Sequence, residues 1–186
     1  VRTAFVRLYQ KGLIYRGEYM VNWDPKLQTA ISDDEVIYEE RPSKLYWIKY
    51  GPITLATTRP ETKFGDTAIA VHPDDERYKK YVGQNIAVVM VTGEKKTIPV
   101  IADEMVDPKF GTGAVKVTPA HDITDSEIGA RHNLALKEVI DSRGRMTAEA
   151  GKICEGLKAA ECRAKVVEEL KSLGLLVKEE PYKHNV

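Results

Sequence analysis

Seven short runs rich in β-branched or aromatic residues fill the stretch from Val36 to Ala120: "VIYEE", "LYWIKY", "ITLATT", "TAIAVH", "NIAVVMV", "TIPVIA" and "GAVKVTPA". Each is bounded by Gly, Pro or Asp, so the chain reads as strands joined by turns. Their number and spacing predict a β-barrel or folded sheet. Three segments break the pattern at helical spacing. "PDDERYKKYVG" has Pro73 near its start and Gly83 at its end, and "HDITDSEIGARHN" opens on an acidic pair. The third, near 157–173, sets Ala159, Cys162, Val166, Leu170 and Leu173 on one face and stops at Gly174. Ahead of the strands, residues 1–40 read as an appendage. "TAFVRLYQKG" spaces Phe5, Leu8 and Tyr9 for a helix ending at Gly12, and extended "LIYRGEYMVNW" and irregular "DPKLQTAISDDE" follow. The closing "LLVKEEPYKHNV" reads as a last strand that leaves the domain.

Composition narrows the function. A chain of 186 residues, 42% hydrophobic and 30% charged, can bury one real core and reads as a soluble globular domain. No apolar run approaches the roughly 20 residues of a membrane helix. The opening "VRTAFVRLYQKG" carries no signal peptide and predicts a fragment of something longer. The 28 basic and 28 acidic side chains cancel. Phosphate neutralisation supplies most duplex affinity, so neutrality argues against tight, independent nucleic-acid binding while leaving room for a single-stranded end. Cys154 and Cys162 are eight apart and match no metal spacing. Cys162 on an apolar stripe predicts a reduced, packed thiol and a reducing, cytoplasmic setting.

Two polar segments carry the candidate chemistry. In "TTRPETKFGD", Pro60 biases Arg59 to an extended backbone, so a rigid turn leaves the strand "ITLA". Thr57, Thr58 and Thr62 offer hydroxyls there, and Arg59 offers a fixed fork of donors. The plain alternative is an ordinary Thr-rich strand end. In "GTGAVKVTPAHDITD", strand alternation puts Val115 and Val117 on one face and Lys116 and Thr118 on the other. Asp122 and Asp125 follow at a strand–helix junction. Capping explains them, as an N-cap and a capping-box-like partner; so does holding a ligand's ammonium group, and the two roles are compatible. The sequence has no G-x-S-x-G elbow, H-E-x-x-H pair, P-loop or dinucleotide-binding glycine pattern. His72, His121, His132 and His184 show no ligand pairing and read as structural or solvent-facing. What remains is a polar pocket that positions water against an already labile bond.

At these residues a resemblance enters. "TTRPETKFGDTAIAVHPDDERY" and "GTGAVKVTPAHDITDSEIGARHNL" closely resemble the editing insert of the valyl-tRNA synthetases, a class I aminoacyl-tRNA synthetase family. "GLIYRGEYMVNWDPKLQTAISDDEV" is similar to the segment by which that insert leaves the catalytic core, so residues 1–40 would be the link and 41–186 the editing domain. Leucyl relatives tend to read Pro-Asp-Thr where this chain has "PET", and isoleucyl relatives lack "TPAHD". Those two versions of the insert, and a non-catalytic module binding the tRNA 3′ end, are the alternatives.

The resemblance implies a β-barrel-rich α/β domain with peripheral helices that hydrolyses threonine wrongly esterified to tRNA(Val). Its partners would be the tRNA 3′ end and the rest of the parent synthetase. By the same resemblance Asp125 binds the α-ammonium. Asp122, Lys116 and Thr118 line the pocket and read the threonine hydroxyl. Thr57, Thr58, Arg59 and Thr62 hold the ester, terminal adenosine and water, and Phe110 supplies an apolar wall. An activated ester needs orientation and polarisation but no enzyme nucleophile. ATP and Mg would belong to the parent's catalytic core, whose signature motifs do not occur in this chain, and no cofactor is expected here. Some relatives carry a zinc knuckle beginning Cys-Pro-x-Cys where this chain reads "DPKL", Asp24 to Leu27, so no zinc is expected. Lys63 stands where relatives usually carry an apolar residue, which puts the rim of the pocket in question.

Overall fold

The computed structural model describes residues 1–17 and 19–185. In chain order these form α1 (Arg2–Gln10), β1 (Asn22–Asp24), β2 (Thr29–Ile31), β3 (Glu40–Tyr50), β4 (Ile53–Thr57), β5 (Ala68–Val71), β6 (Asn85–Val89), β7 (Lys95–Ala102), β8 (Ala114–Val117), α2 (Ile123–Arg131), α3 (Gly151–Cys154), α4 (Ala159–Ser172) and β9 (Leu176–Asn185). The class is mixed α/β, but no sheet closes. Strands β1 and β2 form a hairpin, a second sheet runs β4-β3-β9, and a third runs β6-β7-β5-β8. The pair β5–β7 is parallel and the other ladders are antiparallel.

The expected barrel is therefore corrected to open sheets, and the reason is local. Strands β4 and β8 lie against each other without sharing a ladder. Where a barrel would hydrogen-bond them, β4 breaks into the buried turn Pro60–Gly65, entered through Arg59 at φ −125°, ψ 65°. Pro60 donates no backbone bond to a neighbour. The seam left open between β4 and β8 becomes the pocket described below.

The main core lies between the two larger sheets and α4. Ile48, Tyr50, Ile53, Leu55, Ile69, Val71, Val88, Val100, Val166 and Leu170 are all buried in it. Each such side chain contributes about 1.5–3 kcal/mol relative to exposure. A smaller cluster of Ala68, Ala70, Val106, Val117 and Ile128 seats α2 on the far face of β5 and β8. Gly129 brings that helix onto Pro119, for a Cβ there would lie 2.7 Å from the proline ring. Alternation in β8 holds, yet its second face is no solvent face: Lys116 and Thr118 are 8% and 2% exposed.

Other expectations need correcting. "PDDERYKKYVG" forms turns with one 3₁₀ turn, Lys79–Tyr81. The Asp75 side chain takes the Arg77 amide at 3.1 Å and its guanidinium through two more bonds, a local alternative that competes with helix. "VIYEE" is a strand only from Glu40, because the β3–β9 ladder extends no further than the Glu40–Asn185 pair. Strand β9 does not leave the domain alone; it runs antiparallel along β3, and past Tyr46 the two continue without β4. Cys154 and Cys162 are buried as expected but joined in a disulfide, not reduced. The Gly156 turn brings the end of α3 beside the first turn of α4, with Cα atoms 5.2 Å apart, a separation a disulfide spans. Helix α1 follows its predicted span and buries none of its residues. No described helix is long and apolar enough to cross a membrane.

Candidate active site

The open seam between β4 and β8 widens into a pocket of about 170 Å³. It is lined by Ala56, Thr57, Thr58, Arg59, Thr62, Phe110, Val115, Lys116, Thr118, Asp122 and Asp125. All nine residues singled out in the sequence are among them, drawn from the end of β4, the turn after it, the loop before β8, and the β8–α2 junction. Gly111 shapes the Phe110 wall. It sits at φ +56°, and a Cβ there would come within 2.7 Å of the Ala56 methyl.

On the β4 side the backbone folds over its own hydroxyls. Thr57 Oγ1 accepts the Arg59 amide at 3.1 Å, and Thr62 Oγ1 donates to the Arg59 carbonyl at 3.0 Å. The Arg59 guanidinium donates to the His121 carbonyl at 2.7 Å, tying the β4 turn to the start of the α2 junction. The His121 ring accepts the Val139 amide at 2.8 Å, and burial followed by Arg59 and Lys116 lowers its pKa to about 4. It is a neutral structural histidine at pH 7. The side chain of His184 lies outside the described residues.

The opposite wall carries the charge. Lys116 Nζ donates to Thr62 Oγ1 at 2.5 Å and Thr118 Oγ1 at 3.2 Å, and stands 3.6 Å from Asp66 Oδ1. Asp125 Oδ2 accepts the Thr118 amide at 2.8 Å and the Thr118 hydroxyl at 3.0 Å. Burial pushes the Asp125 carboxyl above its ordinary range, against Lys116 and the Thr118 amide. Asp122 is the N-cap of α2, its Oδ1 accepting the Asp125 amide at 3.0 Å. The capping box is incomplete: Asp125 spends its carboxylate on Thr118, not on the Asp122 amide. Capping thus explains Asp122, whereas Asp125 reaches back from the helix to the end of β8. Its Oδ1 has no hydrogen-bond partner among the described residues.

Behind this wall lies a polar layer that sequence reading missed. Asp66, 1% exposed, accepts the Tyr50 hydroxyl at 2.5 Å. Burial pushes its carboxyl above the ordinary range, against the opposing pull of Lys116, Lys63 and the Tyr50 hydroxyl. Glu61 is fully buried and held by the Arg163 guanidinium through two 2.8 Å bonds. Lys63 is not a rim residue: it is fully buried beneath the turn, with its Nζ 3.4 Å from the centroid of the Tyr50 ring. Asp66 and Lys63 were visible within "TKFGD", but only the fold turns them inward. Arg163 is 102 residues from Glu61, a partnership no local spacing signals.

A mixed α/β body with this polar seam defines the class. The chain belongs to the class I tRNA synthetases, for the family described as tRNA synthetases class I (I, L, M and V) matches residues 1–171. The relatives are valine–tRNA ligases. Those of Thermotoga maritima and Carboxydothermus hydrogenoformans are each 54% identical, and that of Staphylococcus carnosus is 52% identical, all across 100% of this chain. The chain spans only 21–22% of the length of these relatives. Among solved structures, the ternary complex of an Agrobacterium radiobacter LeuRS with tRNA and LeuAMS covers 98% of this chain and 31% of its own, at 20% identity and a TM-score of 0.46.

Proposed function

We propose that this chain is the editing part of a valine–tRNA ligase and that its pocket hydrolyses the ester of threonyl-tRNA(Val). The observation that carries the reading is Asp125. One carboxylate oxygen is locked by Thr118, and the other is left in a pocket that also holds Lys116 and four threonine hydroxyls. That oxygen suits an α-ammonium. A cation there also repays the burial that otherwise pushes Asp125 toward its neutral form.

The remaining lining supplies discrimination. Valine and threonine are nearly isosteric, and an apolar pocket rejects an added hydroxyl weakly, a limit for which valine enzymes are themselves the standard example. A polar pocket reverses the preference. Lys116 and Thr118 give a β-hydroxyl polar partners at the wall, whereas the valine methyl in the same place covers that polar surface and returns no hydrogen bond. Arg59 and the threonines of the β4 turn orient the ester carbonyl, the terminal ribose and one water. Positioning then does the work that a nucleophile does elsewhere, and the reaction as drawn calls for no cofactor.

Single-turnover deacylation tests this. The chain is mixed in excess with threonyl-tRNA(Val) or valyl-tRNA(Val), and release of each amino acid is followed. Rapid loss of threonine with valine retained is the expected result. Equal rates, or none above buffer, would leave only a module that binds the tRNA end. The isolated chain is expected to bind tRNA weakly, because its net charge is zero.

A further inference from the structure

The turn that forms one wall of the pocket conceals a lysine that the chemistry above does not use. Lys63 is 0% exposed, and its Nζ has no hydrogen-bond partner among the described residues. It lies against the Tyr50 ring from β3, and the Tyr50 hydroxyl holds Asp66 Oδ2. Asp66 Oδ1 has no hydrogen-bond partner among the described residues and faces Lys116 at 3.6 Å. Lys96, on β7, donates to the Asp66 carbonyl at 2.7 Å. One buried carboxylate thus sits among three lysines from three elements, with Lys137 and Glu149 acting on the layer through Lys96. Burying a surplus cation is costly. A methylene chain ending in a methyl or thioether would fill the same space without that cost.

We propose that Lys63 is a positioning residue for the pocket: placed over the Tyr50 ring whose hydroxyl holds Asp66, and without an ion pair of its own, its charge weakens the carboxylate's hold on Lys116 and keeps the Lys116 ammonium committed to Thr62, Thr118 and the bound ligand. This rests on the editing reading for its substrate, but not for the charge coupling itself. The layer lies behind Lys116 and sets how much positive potential its ammonium presents to a hydroxyl or ester oxygen. When Lys63 loses its proton, Asp66 keeps Lys116 and Lys96 as its cationic neighbours, leans more on Lys116, and the pocket becomes less positive. Burial, opposed by Asp66 and reinforced by Lys116 and Lys96, brings the Lys63 pKa down to about 8, so the change falls within an accessible range.

Two measurements on the chain with and without Lys63→Met test it. The first is side-chain ¹⁵N NMR of Lys116 titrated from pH 6 to 10, which requires no activity. The expected result is a Lys116 shift stepping near pH 8 in the parent and flat through that region in the variant. An identical Lys116 curve in both would overturn the coupling. The second is the pH profile of threonyl-tRNA(Val) deacylation, corrected for alkaline hydrolysis in buffer. The parent's rate constant should fall above pH 8; the variant should start lower, on the order of tenfold, which is one pKa unit of interaction, and lack the step. Lys63→Arg, which keeps its charge, should restore the neutral-pH rate. A folded Lys63→Met protein with the parent's rate and profile would refute the proposal. If neither protein deacylates but the NMR step is present and Lys63-dependent, the editing reading fails while the coupling stands.

Discussion

Replacing Asp125 by Asn separates the two jobs its carboxylate performs. In the parent, Oδ2 accepts two bonds from Thr118, at 2.8 and 3.0 Å, while Oδ1 has no hydrogen-bond partner among the described residues and the side chain lines the pocket. The Asn carbonyl oxygen can keep the Thr118 bonds, so the β8–α2 junction should survive with little loss. What disappears is the charge and the acceptor offered to an α-ammonium. A hydrogen bond to a charged group contributes about 1.5–3 kcal/mol, which is roughly 10- to 150-fold in kcat/KM for threonyl-tRNA(Val). Asp125→Ala should reach the same activity floor and also remove the one oxygen that accepts both donors of a largely buried Thr118, costing about 1–3 kcal/mol of stability. Circular dichroism melts read the second effect and single-turnover deacylation the first. A folded Asn variant within threefold of the parent would refute an ammonium-binding role, whatever Asp125→Ala did.

Acidification should mimic the Asn variant. The raised Asp125 pKa means that deacylation declines as pH falls through a value above the ordinary 3.8, and a pH–rate profile with no acid limb above that value would count against it. Lys63→Met should stabilise the protein. Its folded pKa of about 8, against 10.5 unfolded, means the native state binds fewer protons between those values; the burial penalty is fully felt below pH 8 and fades as pH approaches 10.5. The gain at neutral pH is about 3 kcal/mol, read as a higher denaturant midpoint, and no gain at pH 7 would show the ammonium to be solvated. Glu61→Gln leaves the partly buried Arg163 without its bidentate partner and should cost about 2–4 kcal/mol; an unchanged melting temperature would contradict the pairing. Gly111→Ala combines positive φ with a Cβ 2.7 Å from the Ala56 methyl, so it should destabilise by about 1–3 kcal/mol and slow deacylation by narrowing the pocket at Phe110. A variant unaffected in both would mean the loop moves freely.

The pocket was more legible than the architecture around it, for a physical reason. Its residues come in two contiguous segments, each spanning a strand end and the turn beyond, so chain connectivity alone keeps Thr57 with Thr62 and Lys116 with Asp125. Only one relation, the meeting of β4 with β8, had to come from the fold. Barrel closure depends instead on whether two strands far apart in sequence form a ladder, and β4 and β8 share none. The same distinction separates the two aspartates. A spacing of three residues is all that capping requires, so both fitted it, and only the bond from Asp125 to Thr118 showed which one had been freed for other work. Lys63 lies at the far end of this scale. Within "ETKFGD" it reads as one more charged residue of a polar turn, but that buried six-residue turn carries it inward beside Asp66 and Lys116. A cation so placed opposes the stability of the fold that places it, and Lys116, which faces Asp66 on one side and lines the pocket on the other, is the group through which the proposed coupling would reach the ligand.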